Sequence, residues 1–228
     1  GISGWDIRKQ NVIHPGEVWG PGQIMDDGCL GAEECLDTIK PAYDKAISEG
    51  KAVGLGLGLK NSGLGNGFRE VTRAVIHFRN DGLVEVRHGW TEMGQGVHTV
   101  ALQVAVEELG IDPATIRVIV DTTRQLGFGQ TTGSRGTLMT AASVHEACLK
   151  ANEGGRQIGV DYMGEYVVDW TQHLGEPGVV NPTIHSAFGY AAQLVVMNKE
   201  TQEIEKVVAV HDVGKAVNPT LCEGQIEG

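Results

Sequence analysis

The sequence lacks several features that would each define a class of protein. Its four cysteines, Cys29, Cys35, Cys148 and Cys222, form no C-x-x-C pair, which argues against a zinc ribbon or a thioredoxin-type site and favours buried reduced thiols. Its apolar runs, such as Val207–Val210, fall far short of the roughly 20 residues that a membrane helix needs. Basic residues are few, with 18 Lys and Arg against 29 Asp and Glu and a net charge of −11. We therefore expect a soluble, cytoplasmic protein that binds neither membrane nor nucleic acid.

The common nucleotide and zinc-protease motifs are also missing. The segment "GSRGT" has Arg135 where a Walker A motif needs lysine. The segment "GLGNGF" from Gly63 has Phe68 where G-x-G-x-x-G needs its last glycine. The segment "HEACL" has Leu149 where H-E-x-x-H needs its second histidine. An ordinary mononucleotide or dinucleotide is therefore not expected, and no residue of this chain is predicted to bind a metal.

Glycine is the residue in excess. The chain contains 33 glycines, which are concentrated in a few stretches between ordered segments, as in tight turns or places where backbone approaches a ligand. The chain starts at Gly1 without a methionine and stops after "GQIEG", where nothing signals that a fold has finished. We expect a piece of a longer polypeptide.

The hydrophobic periodicity predicts an α+β fold with mixed sheets, hairpins and packed helices. Residues 1–30 are predicted to be mostly irregular, with a short extended piece around Val12. Helices are predicted over residues 32–49 with a kink or break at Pro41, over 97–109 with Gly110 as the stop, over 137–152, and from Pro219 onward. Strands are predicted over 53–59, 71–78, 83–88, 116–120, 167–170, 187–197 and 203–210. We divide the chain into a lead-in segment, 1–50, and a main region, 51–228, with a subdomain break near 154–180.

Two segments follow one design, in which a strand leads through a glycine-rich polar turn into a helix. Helix starts present unsatisfied N–H groups and a partial positive charge, so they favour anionic or polar ligands. In "TEMGQGVHT", Gly94 and Gly96 let a ligand approach the backbone, and the Gln95 amide offers two donors and an acceptor. Glu92 is expected at a solvated or capping position.

The second segment, "GQTTGSRGT", supplies a different set of groups. Thr132, Ser134 and Thr137 contribute hydroxyls, whereas Arg135 contributes a fixed charge. Gly133 and Gly136 leave room for a ligand. The alternative interpretation of both segments is a pair of ordinary capped helices with flexible loops.

Three long motifs follow one another along the chain: "HGWTEMGQGVHTVALQVAVEELGI", "GQTTGSRGTLMTAASVHEAC" and "HDVGKAVNPTLCEGQIEG". In this order they resemble the molybdenum-binding subunit or domain of the xanthine dehydrogenase and aldehyde oxidase family. The resemblance extends to "SGWDIRKQNVI" at the front, so it covers nearly the whole chain. The residues of these motifs are most similar to those of bacterial xanthine dehydrogenases, including selenium-dependent ones.

The resemblance implies a molybdopterin-binding α+β domain of the molybdenum hydroxylase type. In the family the cofactor carries molybdenum on its dithiolene and is often extended to a cytosine dinucleotide. By this match Gln95 and Gly96 would touch the pterin or its pyrophosphate, with Gly94 beside them, and Gln225 is a further contact. Residues 132–137 would cradle phosphate and pterin edges; they are Thr132, Gly133, Ser134, Arg135, Gly136 and Thr137.

The resemblance also implies the reaction and the partners. The family hydroxylates purines such as hypoxanthine and xanthine, N-heterocycles or aldehydes, with water as the oxygen source. Partners would be the remainder of the large subunit and iron-sulfur and FAD domains or subunits, and we expect a homo-oligomer of the full complex. The catalytic glutamate would lie beyond residue 228, because Glu176 in "GEPG" has the wrong place in the motif order. The substrate-gripping aromatics would fall near Cys29 and Leu64-Gly65, where this sequence has none.

Three interpretations remain open at this point. The first is an inactive piece of a purine-oxidising molybdenum hydroxylase, and the second is a piece of an aldehyde or nicotinate-type hydroxylase of the same family. The third, from another class, is a non-catalytic anion-binding or scaffold domain. An enzyme requires the downstream glutamate motif and neighbouring iron-sulfur and flavin modules in the parent gene, which a scaffold would lack.

Overall fold

A computed structural model of the chain describes residues 1–26, 28, 31–127 and 130–228. Within these ranges the helices are α1 (Gly4–Asn11), α2 (Gly31–Ser48), α3 (Val97–Leu109), α4 (Gly136–Glu153) and α5 (Pro219–Glu227). The strands are β1 (Ala52–Ser62), β2 (Glu70–Phe78), β3 (Val84–His88), β4 (Ile116–Val120), β5 (Asp161–Val168), β6 (Ala187–Met197) and β7 (Ile204–Asp212). The chain divides into two compact units, residues 1–62 with 172–216 and residues 63–171 with 217–228. The predicted division at residue 50 and near 154–180 stays a prediction.

The first unit is built on an antiparallel sheet of order β1-β6-β7. The strands β1 and β6 pair over their full length, from Ala52 opposite Met197 to Ser62 opposite Ala187. Helix α2 lays its apolar face on this sheet, so that Leu36 and Ile39 lie in one core with Leu194. Burial of these aliphatic side chains is the main stabilising term of the unit.

The second unit contains a mixed sheet of order β4-β3-β2-β5. Strands β2, β3 and β5 pair antiparallel, whereas β3 and β4 pair parallel across the helix α3 that connects them. Helices α3 and α4 share a core with the sheet through small side chains such as Ala101 and Ala147. A Cβ on Gly164 of β5 would lie 2.3 Å from the backbone nitrogen of Ala147, so this strand and α4 meet backbone to backbone. The long helix is thereby fixed against the sheet, and so is its first turn.

The predicted fold class is confirmed, and so are most of its elements. The strands on either side of "NDG" form the antiparallel hairpin β2–β3, and α3 ends at Gly110 with φ of +62°. The residues predicted as a second hairpin pair as β6 and β7. Helix α2 continues through Pro41, so the predicted break at this residue does not occur.

Two parts of the prediction are wrong. Residues 4–11 form helix α1, because Ser3 and Asp6 make a capping box in which each side chain binds the other's backbone N–H. This helix has only two large apolar residues, Trp5 and Ile7, and neither is buried, so it shows no hydrophobic period. Strand β5 lies at Asp161–Val168, earlier than the predicted 167–170, since Gly164 interrupts its pattern of apolar side chains.

The cysteines of the described residues are free thiols. Cys35 and Cys148 are buried free thiols, as expected, and Cys222 is half-buried. Burial raises the pKa of Cys148 to about 12, so this thiol stays protonated and unreactive at neutral pH. Cys29 lies outside the described residues.

Within the described ranges, none of the helices combines the length and apolarity needed to cross a bilayer.

Candidate functional site

The turn before α3 is occupied by a carboxylate from its own chain. Glu92 accepts the backbone N–H groups of Gly94 and Gly96 at 2.9 Å and of His98 at 3.2 Å. Partial burial raises the pKa of Glu92, but these N–H groups outweigh burial and hold the pKa below its ordinary value. The expected capping role of Glu92 is therefore confirmed. The expectation of unsatisfied N–H groups at this helix start is wrong for Gly96 and His98.

Gln95 closes the same turn with its side-chain amide. Its Oε1 accepts the backbone N–H of Met93 and its Nε2 donates to the carbonyl of Thr91, both at 2.7 Å. One amide hydrogen and one acceptor lone pair of Gln95 remain for a ligand. The side chain is thus held in a fixed orientation.

Both the backbone conformation and the packing of Leu221 favour glycine at position 96. Gly96 has φ of +79°, and a Cβ at this position would lie 2.7 Å from Cδ1 of Leu221 on α5. Gly94 has φ of +105°, but a Cβ there would meet nothing within 4 Å. The missing side chain at Gly96 therefore lets α5 lie against the turn. Gln225, on the same helix, is exposed.

Arg135, in the second predicted segment, points into the protein. Its side chain is 2% exposed, and Nη1 donates to Oε2 of Glu70 at 2.7 Å. Nη2 donates to the carbonyl of Gln130 at 2.7 Å and Nε to that of Thr132 at 3.2 Å. The guanidinium also lies 5.0 Å from the ring centroid of Trp90. Arg135 is a buried, multiply bonded residue.

The hydroxyl residues of this segment have the opposite exposure. Thr132, Ser134 and Thr137 are exposed, and they alternate with the half-buried Gly133 and the buried Arg135. The start of α4 has no side-chain cap. In the part of the chain that the structure describes, no acceptor is recorded for the N–H groups of residues 136–138, the first three of α4. This helix start, in contrast to that of α3, has donors that remain open to a ligand.

Backbone hydrogen bonds bring the predicted segments together. The N–H of Thr91 donates to Oγ1 of Thr131 at 3.3 Å, which joins the two glycine turns. The N–H of Gly63 donates to the carbonyl of Gly133 at 2.8 Å. The two turns and α5 therefore lie in one region of the second unit, and all ten predicted cofactor-binding residues belong to that unit.

Three buried polar atoms near these turns lack a hydrogen-bond partner among the described residues. They are Nε2 of His88, Nε2 of His98 and Oγ1 of Thr140. Burial, and secondarily the neighbouring His98, lowers the pKa of His88 to about 4. His88 is therefore neutral, and its Nδ1 accepts the N–H of Trp90 at 3.1 Å, which leaves the ring proton on Nε2. Among the described residues, no group of three or more His, Cys, Asp or Glu side chains could hold a metal ion.

The roles of Glu70 and Trp90 were not predicted from the sequence. Glu70 is 3% exposed and pairs with Arg135, 65 residues further along the chain. Trp90 donates from Nε1 to Oγ1 of Thr72 at 3.0 Å and places its ring against Arg135. A lone acidic residue at the start of a strand resembles any solvated surface residue, so only the tertiary structure identifies this pair.

The family of the chain follows from comparison with known proteins. A model of the molybdopterin cofactor-binding domain matches residues 33–165 and 155–228, so the chain belongs to this family. Xanthine dehydrogenase/oxidase of Gallus gallus is 26% identical over 263 residues, which cover 100% of this chain and 19% of that protein. The nicotine 6-hydroxylase large subunit of Paenarthrobacter nicotinovorans is 25% identical over 289 residues, which cover 100% of this chain and 35% of that subunit.

A solved structure agrees with this assignment at the level of the fold. The aldehyde oxidoreductase of Desulfovibrio desulfuricans superposes with a TM-score of 0.80 at 24% identity, covering 97% of this chain and 27% of that one. The predicted membership of the xanthine dehydrogenase and aldehyde oxidase family is confirmed, and the family consists of oxidoreductases of the molybdenum hydroxylase type. The chain spans between about a fifth and a third of the length of these two curated relatives.

Proposed function

We propose that this chain holds the phosphate-bearing part of a molybdopterin cofactor within a larger purine-oxidising enzyme. One observation carries the proposal: at the start of α4 three N–H groups have no acceptor among the described residues, and three exposed residues with hydroxyl side chains lie beside them, in a chain of the molybdopterin-binding family. An anionic phosphate matches this set of donors, because backbone N–H groups at a helix start favour negative charge. The cofactor, when bound, supplies the molybdenum at which the substrate is hydroxylated with oxygen from water.

Each predicted site residue then has its own role in binding the cofactor. Thr132, Ser134 and Thr137 donate hydroxyl hydrogens to phosphate oxygens, and Gly133 and Gly136 let these oxygens reach the backbone. Gln95, fixed by its own turn, uses its remaining donor and acceptor on the edge of the pterin, next to Gly94 and Gly96. Gln225 adds an amide from α5. Arg135 supports, from inside the protein, the loop at residues 130–137, which we call the phosphate loop.

The proton chemistry of the reaction belongs to parts of the parent protein outside this chain. Glu176 is exposed, and its carboxylate accepts the N–H of His173 at 3.2 Å, which is the role of a turn-capping residue. We therefore assign no catalytic residue here and expect the isolated chain to be inactive. The parent supplies the catalytic glutamate, and iron-sulfur and FAD modules carry the electrons away, in a homo-oligomeric cytoplasmic complex.

A second substrate class has nearly equal support. The nicotine 6-hydroxylase subunit matches the chain at 25% identity, against 26% for the xanthine dehydrogenase/oxidase. Leu64 and Gly65 stand where the family has a substrate-gripping aromatic, so stacking on a purine ring has less support here. An aldehyde or nicotinate-type substrate is the alternative within the family, and a scaffold without cofactor is the alternative outside it.

The decisive experiment is elemental analysis of the full-length parent purified from its native host. Near-stoichiometric molybdenum together with phosphorus supports the cofactor site, labile selenium identifies the selenium-dependent subgroup, and nucleotide analysis after acid release detects a cytosine extension. Turnover of hypoxanthine, xanthine, nicotinate and a simple aldehyde then ranks the substrates. A folded, intact parent that contains neither molybdenum nor cofactor phosphorus supports the scaffold.

A further inference from the structure

We propose that Glu70 and Arg135 are a positioning pair that shapes the phosphate loop while keeping the guanidinium away from the ligand. This inference rests on the proposed function of the loop at residues 130–137. It reverses the role that the sequence predicts for Arg135, since a positive side chain beside a phosphate site ordinarily binds the phosphate directly.

The first argument is that the charge of Arg135 is already neutralised. The side chains of Glu70 and Arg135 are 1% and 2% exposed and their charged atoms are 2.7 Å apart. A buried ion pair of this kind is costly to break, because the partner left behind is an uncompensated charge without water. A ligand phosphate therefore cannot draw Arg135 outward without leaving Glu70 unpaired.

The second argument is that Arg135 binds the backbone of its own loop. Its donations to the carbonyls of Gln130 and Thr132 hold both residues in place. These carbonyls face the buried guanidinium, whereas Thr132 and Ser134 themselves are exposed residues. The planar guanidinium satisfies the two carbonyls and the carboxylate at once, which the point charge of lysine cannot do.

The third argument concerns the second oxygen of Glu70. Oε1 accepts the backbone N–H of Leu64 at 2.8 Å, and the N–H of Gly63 donates to the carbonyl of Gly133. One buried carboxylate therefore fixes the segment at residues 63–64 and the phosphate loop together. The ligand meets neutral donors in a rigid arrangement.

The test is a double-mutant cycle in the full-length parent. We compare E70Q, R135Q and E70Q/R135Q for molybdenum and phosphorus content and for hydrogen exchange of the peptides that span 63–65 and 130–137. Each single variant is expected to accelerate exchange in both peptides and to lower retained cofactor at least about tenfold, because buried partners lose their hydrogen bonds. The double variant is expected to be no worse than either single one, since one unit has been broken.

Two further variants separate local positioning from general damage. E165Q removes a carboxylate from the exposed Arg73–Glu165 pair, in which Arg73 Nε lies 2.6 Å from Glu165 Oε2, and it should retain cofactor. R135K keeps the charge but not the planar group, so it should resemble R135Q. Exchange in peptides from the buried middle of α4 should remain slow in every variant; acceleration there in step with the loop would reduce the pair to a general structural role and overturn the proposal.

Three further outcomes would overturn the positioning role of the pair or the proposed function. If R135Q and R135Q/E70Q lose cofactor while E70Q retains it, and if R135Q alone weakens the salt dependence of cofactor release, Arg135 binds the anion directly and the positioning role is wrong. If E70Q leaves both retention and loop exchange unchanged, the inference fails and the proposed function survives. If the wild-type parent itself holds no molybdenum or phosphorus, the proposed function fails as well, and the exchange data still show whether Glu70 orders the loop.

Discussion

Glu92 accepts the backbone N–H of Gly96 at 2.9 Å, so the turn that precedes α3 is bound to a carboxylate of its own chain. The same carboxylate takes the N–H of His98 within the first helical turn. A negative group already sits where a free helix start would attract one. The two glycine turns consequently differ in their hydrogen bonding: here Gly96 and His98 donate to a carboxylate, whereas the N–H groups of residues 136–138 at the start of α4 have no acceptor among the described residues.

Glu92→Gln is expected to lower the free energy of unfolding by about 1 kcal/mol, because the charge is lost and the amide NH2 that replaces one of the two accepting oxygens cannot accept a backbone N–H. Glu92→Ala is expected to cost about 1–2 kcal/mol, because the N–H groups lose their acceptor. Since the folded pKa of Glu92 lies below the unfolded value, its contribution is complete above the unfolded pKa and disappears as the pH falls through the folded one. Urea unfolding at several pH values measures these changes in the free energy of unfolding. The control is Glu107→Gln, at an exposed residue of α3. Equal losses in both glutamine variants would contradict the capping role.

Gly96→Ala is expected to be more damaging than Gly94→Ala. Both residues have positive φ, so both substitutions introduce backbone strain of about 1 kcal/mol. Only at Gly96 does the new methyl group meet Leu221, the end of whose side chain must then shift, which adds about 1 kcal/mol of overpacking. The double variant G96A/L221A should recover part of that extra loss. Chemical unfolding of the four variants tests the contact, and identical losses at the two glycines would show that α5 does not pack there.

His88 predicts a pH dependence of stability. Its folded pKa of about 4 lies below the unfolded value of 6.5. Between these two pH values the histidine is therefore protonated in the unfolded chain and neutral in the folded protein. The free energy of unfolding should therefore fall as the pH decreases from 6.5 to 4, by on the order of 3 kcal/mol for this residue. His88→Asn keeps an acceptor for the N–H of Trp90 but cannot titrate. The difference between the two unfolding curves isolates the histidine, and parallel curves would mean that His88 is already solvated or charged.

Ser134→Ala and Thr137→Ala are expected to lower bound molybdenum and phosphorus in the full-length parent, because both residues are exposed and we propose that their hydroxyls bind the ligand. Thr122→Ala, at another exposed threonine of the same unit, is the control. Gln95→Ala should also lower the metal content, and it should in addition destabilise the turn, since two internal hydrogen bonds are lost. Unchanged molybdenum in the serine and glutamine variants would mean that the site lies elsewhere.

The success of the sequence predictions depended on the range of the interactions involved. Helix α3 and the β2–β3 hairpin were predictable because their signals, an apolar stripe ending at Gly110 and the residues "NDG", lie within a few positions of the structure they determine. Helix α1 was missed because it is held by a capping box at Ser3 and Asp6 and contains no buried residue that would give a hydrophobic period. The motif positions of the candidate site could be read from the sequence, but the inward direction of Arg135 could not. That direction depends on Glu70, a partner 65 residues away whose approach is set by the order of the strands.

The contact between Gly96 and Leu221 also has a consequence for biosynthesis. The two residues are 125 positions apart (221 minus 96), so the ribosome makes the turn long before the helix that covers it. At about 5–20 residues per second, this interval is on the order of ten seconds. The second unit can begin to fold from residues 63–171, but its first glycine turn acquires its cover only when α5 emerges. Nascent chains that stall before residue 217 should therefore carry an uncovered turn.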